Sequence, residues 1–437
     1  MKHRGLRLHK GRSGGNLSRS LITVTWITVT LTLPSLSLSG ESIQEEAALT
    51  QFHPYSHSKP CVPGLEPGVM LTQANVQLAK EVLPEEIIQL LTAGDFTISI
   101  QDTTDLPLRQ SYIDATLQYA SGVILNGAGA LQNYHGGLPF PLLDQADPRA
   151  GEKLAWNFRY RDLGETFETR PTTREVNASG AVEHFDRGTM RMRFGMYRPN
   201  PTDNDVQWQS QGVLFKNSFE LLSPSDREGV MRILTVYDDD DRPSEQLRYS
   251  PQTRRTRKEY VNYLTPIGGA YEVLQEENPP SFFHGYLHSY QWTYRGARLM
   301  LVPGFAKTAD LPFGGKNGWY PEVPWELRQV LLLESLPKGE HPFGRRVYVL
   351  DQQTYAPLLI LTYASSGEFF RLILVVHAHP AYYPGNEHIS LPILSGASAI
   401  NYARQRATLF STNATTVYNR PFSAQRFGLI EIFRRGK

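Results

Sequence analysis

The sequence predicts a mainly β protein: a large curved antiparallel sheet, or open barrel, with a few N-terminal helices covering its concave face. Three observations carry that expectation. From Gly136 onward the apolar residues recur every second position. The connections between the alternating runs are short, which favours antiparallel pairing. Helical spacing is confined to the region before Gly136. A sheet of about a dozen strands must curl or split, so a β-sandwich or two adjacent sheets is the alternative architecture.

The elements follow in chain order. Thr72 caps a short helix through about Glu81. A second helix, Glu85 to Leu91, has Pro84 at its start, acids in its first turn and Gly94 as its stop. Phe96–Ile100 alternates as a strand. Asp105 and Pro107 open a third helix, whose Leu108, Tyr112, Ala115 and Tyr119 share one apolar face. Gly136–Pro141 is a turn. Leu154, Trp156, Phe158 and Tyr160 alternate with Ala155, Asn157 and Arg159, which predicts a strand. Met190 to Met196, Val213 to Leu221 and Met231 to Tyr237 continue the period of two. Leu247 to Lys258 reads as a hairpin turning at Pro251-Gln252-Thr253, with Leu247 and Tyr249 on one face. Tyr286, His288, Tyr290, Trp292 and Tyr294 predict one ring-lined strand face. Leu327–Leu333, Arg346–Leu350, Leu358–Tyr363, Phe369–Val376 and Phe427–Phe433 complete the strands. Asn262–Pro280 and Thr308–Trp325 are Gly/Pro-rich loops long enough to act as lids.

Of the 437 residues, 40% are hydrophobic and 20% charged, which is ample for a large core. The formal charge of +1 hides an asymmetry. Residues 1–39 hold six Lys/Arg and no acid, leaving 38 basic against 43 acidic residues in the remainder. A mildly acidic chain is a poor nucleic-acid binder, and no nucleic-acid partner is expected. The basic N-terminus, the apolar stretch Leu21–Leu33 and the small residues Ser37 and Ser39 match an export signal cleaved before Gly40 or Glu41. An uncleaved anchor is the alternative, but the apolar stretch is short for a span. Residues 40–71, punctuated by prolines, read as an extended lead-in. Residues 72–437 read as a single β-rich domain. Cys61 is the sole cysteine and cannot form an internal disulfide.

Four groups of residues invite a functional reading. Arg254, Arg255, Arg257 and Lys258 crowd four cations onto a hairpin. They suit an acidic head group or partner, internal pairing with Asp238–Asp241, or a solvated strand that resists aggregation. Trp156, Phe158, Tyr290 and Trp292 suit the wall of a ligand cavity, with ordinary core packing as the alternative. His377, His379 and His388 supply three imidazoles, yet with no visible supporting partners a packed or exposed set is the simpler reading and no metal is expected. The acid run Asp238–Asp241 lacks the spaced oxygens and Gly turn of a calcium loop and reads as a solvated loop. Nucleophile elbows, Walker loops, zinc-helix motifs and dinucleotide fingerprints are absent from the sequence. No catalytic residue and no cofactor are therefore expected.

Leu247-Arg-Tyr-Ser-Pro-Gln-Thr-Arg-Arg-Thr-Arg257 resembles the Leu-Tyr-x-Pro-x-x-Arg-Arg-x-Arg signature of a bacterial envelope family catalogued as domain of unknown function 1329. Its members are often labelled outer-membrane lipoprotein-sorting proteins. Gly136–Pro141, Tyr290–Pro303, Pro324–Arg328 through Arg345–Asp351, and the lead-in from Pro67 to Pro84 are similar to the same family. The resemblance implies a Gram-negative periplasmic protein with a fold similar to the LolA and LolB lipoprotein carriers, whose curved sheet and helices enclose a hydrophobic cavity. It implies association with transport, and it supplies no catalytic residue. The resulting expectation is a non-enzymatic carrier for a lipid or other hydrophobic small molecule, working with inner- or outer-membrane transport proteins and possessing no cofactor. A structural or adaptor component of an envelope complex is the alternative, and a hydrolase or metal enzyme a more distant one.

Overall fold

The computed structural model describes residues 47–437, apart from 57, 198–202, 422, 429–430 and 432–437. The export segment expected at 1–39, the cleavage site expected after it and residues 40–46 lie outside the described residues. Among those described, sixteen strands form one sheet. Numbered in chain order they are β1 (Thr166–Thr169), β2 (Thr172–Asn177), β3 (Val182–Phe194), β4 (Val213–Ser223), β5 (Met231–Tyr237), β6 (Glu245–Ser250) and β7 (Arg255–Tyr260). There follow β8 (Tyr290–Pro303), β9 (Phe305–Ala306), β10 (Trp325–Pro337), β11 (Arg345–Asp351), β12 (Pro357–Tyr363), β13 (Phe369–Ala378), β14 (Ile393–Asn401), β15 (Arg406–Ser411) and β16 (Val417–Tyr418).

The topology is two antiparallel meanders. One runs β2 to β7, and the other runs β8, β10 and on to β15. They join where β2 lies beside β15, with Thr172 opposite Ser411 and Asn177 opposite Arg406. The two ends of this path, β7 and β8, are consecutive in sequence. Residues 261–289 connect them, and their buried contacts place them against the inner face. The sheet is large, antiparallel and not closed, as the sequence predicts.

Strands β10 to β15 of the second meander are buried on both faces over most of their length. Tyr348, Leu350, Ile360, Ile373 and Val375 pack into one core, while Val349, Leu359, Leu361, Leu372 and Leu374 pack into another. A strand covered on both sides reads as a near-continuous apolar run, as Pro357–Tyr363 does. The helices divide between the two faces. Helix α1 (Glu85–Thr92) carries Glu85 and Glu86 in its first turn, where the helix dipole favours acids. It buries Ile87, Ile88 and Leu91 in the outer core. Helix α2 (Gln110–Tyr119) buries Tyr112 and Ile113 in the inner one.

Five sequence expectations are corrected. The segment from Thr72 to Glu81 forms only a 3-10 turn, Val76–Ala79. Leu154, Trp156, Phe158 and Tyr160 lie on a helix, α3 (Ala150–Tyr160), not on a strand. Ala150, Gly151, Ala155 and Asn157 are buried as well, so α3 is enclosed on most of its surface and its apolar period is uninformative. At Gly151 a Cβ would stand 2.3 Å from the Trp292 carbonyl oxygen, so glycine sets how closely α3 approaches β8. Tyr286 and His288 precede β8, in and beside a 3-10 turn (Leu287–Ser289), so the five-ring strand face shrinks to Tyr290, Trp292 and Tyr294. At the C-terminus Phe427 ends a 3-10 turn, and most of the strand expected there lies outside the described residues. Strands β1, β2, β9, β14, β15 and β16 are additions; in β14 and β15 small and polar residues mask the alternation. Residues 47–52, within the extended lead-in, are helical.

Candidate ligand-binding cavity

The inner face of the sheet encloses a cavity of about 400 Å³. Its volume lies in the range of roughly 300–1,000 Å³ typical of small-ligand pockets. Strands β3 to β6 supply one wall, β13 to β15 another, and residues 267–282 the inner cover.

Pairing register explains the composition of the first wall. Met190 stands opposite Phe219, Phe219 opposite Arg232, Arg232 opposite Arg248, and Arg248 opposite Arg257. One row across β3, β4, β5, β6 and β7 therefore passes from two apolar residues to three arginines. Leu234, Phe282, Ile373 and Phe410 extend the apolar part of the lining. Among the described residues, neither the Arg232 nor the Arg248 side chain makes a hydrogen bond or ion pair, Arg232 being half-buried and Arg248 exposed. Arg227, also on the lining, is neutralised by Asp186 at 2.7 Å. Burial, and then the charge of Arg248, lower the Arg232 pKa.

The cover is fixed by buried charge rather than free to open as a lid. The Arg346 guanidinium lies 2.8 Å from Glu276 and 2.9 Å from Glu277, and Arg371 also pairs with Glu277. Burial opposes ionisation of Glu277, but Arg371 and Arg346 outweigh it and hold its pKa below the usual carboxylate range. Glu276 goes the other way: burial raises its pKa, Arg346 opposes that, and Glu277 adds to it. Tyr290 donates to Glu276 at 2.6 Å, and the buried His341 beside them is pushed down to about 3 by burial and then by Arg346. Glu272 joins the cover to the sheet through Asn401 (2.8 Å) and Arg404 (3.0 Å).

The four rings chosen from sequence sit together, but not on this cavity. Trp156 donates to the Gly129 carbonyl (2.9 Å), and Trp292 donates to that of Leu287 (2.8 Å). Phe158 packs on Tyr348 with ring centres 5.3 Å apart, and Phe283 meets Trp292 at 5.3 Å. They knit α3 to β8 and β11 in the inner core. Trp156, Tyr290 and Trp292 border a separate recess of about 300 Å³. The alternation of 154–160 looked like a strand facing the cavity, and its helical form is what moves Trp156 and Phe158 elsewhere.

The four cations are divided by the strand they occupy. Lys258 points to the outer face and pairs with Glu245 at 2.8 Å. Arg255 and Arg257 share the inner face with Arg248, and Arg254 lies in the turn with φ 53°. All four are exposed, and the three arginines have no ion pair among the described residues. Leu247 and Tyr249, the apolar side of the hairpin, pack outward with Trp208, Met231, Ile233 and Phe427.

The acid run does not pair with these cations. Asp238 accepts from Tyr160 and Tyr197, while Asp240 pairs with Arg159 and accepts from the Leu287 backbone N–H at 2.8 Å. Two of its acids thus clamp the end of α3. His377 is buried and its pKa is pushed down to about 3 by burial, His379 accepts from the Ala381 backbone, and His388 is exposed. Among the described residues, no three His, Cys, Asp or Glu side chains gather as a metal site.

Sequence reasoning missed Arg232 and Arg248. Both occupy the polar positions of alternating strands, which ordinarily face solvent. Their signal was present in the register: a hairpin that turns at 251–254 places Arg248 opposite Arg257. What no local pattern gives is that both faces of β5 and β6 are used.

The fold and cavity define an open antiparallel-sheet protein with a ligand-sized chamber. The chain belongs to the family described as protein of unknown function (DUF1329), whose model matches residues 70–427. No curated protein matches the sequence. Among solved structures, it is similar to a Desulfovibrio piger protein of the DUF1329 family, at 12% identity and a TM-score of 0.45, covering 65% of this chain and 98% of that one. It is also similar to a Vibrio parahaemolyticus domain described as an outer membrane lipoprotein-sorting protein, at 13% identity and a TM-score of 0.43, covering 64% and 97%. A LolA superfamily protein from Nitrosomonas europaea matches at 7% identity and a TM-score of 0.37, covering 62% and 93%.

Proposed function

We propose that this is a periplasmic, non-enzymatic binding or carrier protein for a lipid or other hydrophobic ligand, serving transport across the cell envelope. The observation that carries the reading is the cavity of about 400 Å³ walled by Met190, Phe219, Leu234, Phe282 and Phe410. A water-insoluble molecule crossing an aqueous space needs its apolar area covered, and a walled chamber on a rigid sheet supplies that cover. The basic, then apolar, then small-residue order of residues 1–39 supports export. The exposed Arg254, Arg255 and Arg257, at one edge of the sheet, suit contact with an acidic head group or an envelope partner.

Native mass spectrometry with lipid extraction tests the proposal on protein purified from its own periplasm. A co-purifying hydrophobic molecule, released on denaturation, is the expected result. An empty protein that also binds no lipid on titration would refute it and favour an adaptor role, for which the exposed edge arginines would be the contact.

A further inference from the structure

Arginine remains charged at any pH a folded protein meets, so two guanidinium groups placed face to face cannot relieve their repulsion by losing a proton. Like charges directly opposite on neighbouring strands are destabilising. Arg232 and Arg248 are such a pair, and Arg257 stands directly beyond Arg248 on the edge strand. The acids within reach are committed or displaced. Asp186 is held by Arg227, and Glu277 by Arg346 and Arg371. Glu259 is exposed and stands opposite Gln246 rather than an arginine, and both it and Asp186 act on Arg232 less strongly than Arg248 does. Arg232 and Arg248 both line the cavity, and the same row continues inward to Phe219 and Met190. The chamber is therefore polarised, cationic on one side and apolar on the other.

We propose that the cavity binds a single-chain amphiphilic anion, its oxyanion head on Arg232 and Arg248 and its apolar body against Phe219, Met190, Leu234 and Phe282. Paired guanidinium groups suit a carboxylate or phosphate, since each can give two parallel N–H···O bonds. A volume of about 400 Å³, near the lower end of ligand pockets, fits one chain better than a diacyl lipid. This inference rests on the reading of the cavity as a ligand chamber, and names the class of ligand it takes.

The test uses a fluorescent acid, 11-(dansylamino)undecanoate, and its methyl ester, titrated into the full-length mature protein. The acid is expected to bind roughly tenfold to a hundredfold more tightly than the ester, from charge-assisted bonds that the ester cannot make. The Arg232→Gln/Arg248→Gln double variant should lose that preference while still binding the ester. Equal affinity of the wild type for acid and ester would overturn the anion assignment and leave the carrier reading standing. Binding of neither probe would overturn both. Displacement of the acid by inorganic phosphate as effectively as by dodecanoate would also overturn it, because the site would then need no chain. Without ligand, each single Gln variant should melt at or above the wild-type temperature, since it removes repulsion. A variant that fails to fold would show the arginine to be structural and would overturn the proposal.

Discussion

Replacing Arg346 with methionine should show how the inner cover is held. Arg346 is fully buried, and its guanidinium meets Glu276 at 2.8 Å, Glu277 at 2.9 Å and the Tyr348 hydroxyl at 2.7 Å. It also lies 3.9 Å above the Phe343 ring. Methionine keeps much of the apolar stem but leaves Glu276 and Glu277 side by side in a buried site, with only Arg371 to balance them. Breaking a buried pair in this way costs about 3–5 kcal/mol, or on the order of a hundredfold to several-thousandfold in the folding equilibrium. Urea unfolding followed by tryptophan fluorescence measures the change, and hydrogen exchange should find the loss of protection concentrated in residues 261–289. Glu276, whose pKa burial already raises, is the acid that gives up its charge more readily. Adding Glu276→Gln to Arg346→Met should therefore recover part of the loss. A single variant within about 1 kcal/mol of wild type, or a second substitution that recovers nothing, would refute the account of a charge-pinned cover.

Glu175 is buried beside Thr408, and burial pushes its pKa up to about 7. A carboxyl that holds its proton more tightly when folded contributes stability below its unfolded pKa, and loses it as pH rises through about 7. Glu272 adds to that rise, and Arg404 and Arg406 oppose it. Glu175→Gln should thus melt above the wild type at pH 8 and lose that advantage at pH 5, as differential scanning calorimetry at both values would show. Gly151→Ala should destabilise by about 1–3 kcal/mol in urea, because the new methyl meets the β8 backbone at Trp292. At the edge hairpin, Arg257→Gln should weaken sedimentation with phosphatidylglycerol vesicles by about 1 kcal/mol, and 0.5 M salt should erase the difference. Lys258→Gln should matter less, because Lys258 is engaged by Glu245.

The strands were legible where one face is dry and the other wet, as at the start of β8, where Tyr290 and Trp292 are buried and Gln291 between them is exposed. They were also legible where both faces are dry and the run is simply apolar, as in Pro357–Tyr363. The period failed for 150–160. There a helix is packed on most sides, so the positions of its polar residues no longer report which side faces water. It failed as well for β14, whose Ser395, Gly396, Ala397 and Ser398 are buried by close neighbours rather than by their own hydrophobicity. Tyr290 and Trp292 were correctly read as a shared patch of rings, and their Tyr348 and Phe283 partners came from distant sequence.

By itself the sequence determined the class: a mainly antiparallel-sheet protein with helices near 85–92 and 110–119 ahead of the sheet and a basic hairpin at 247–258. Those properties are local, because strand period, turn chemistry and charge are written in neighbouring residues. Only the tertiary structure decided where the chamber lies and what lines it. Arg232 and Arg248 meet across two strands, Phe282 comes from the connection between meanders, and Phe410 comes from β15, beside β2. Which face of a strand turns inward depends on what covers the other. For β5 and β6 that cover is the small outer core around Trp208 and Phe427, and it turns the arginines toward the cavity.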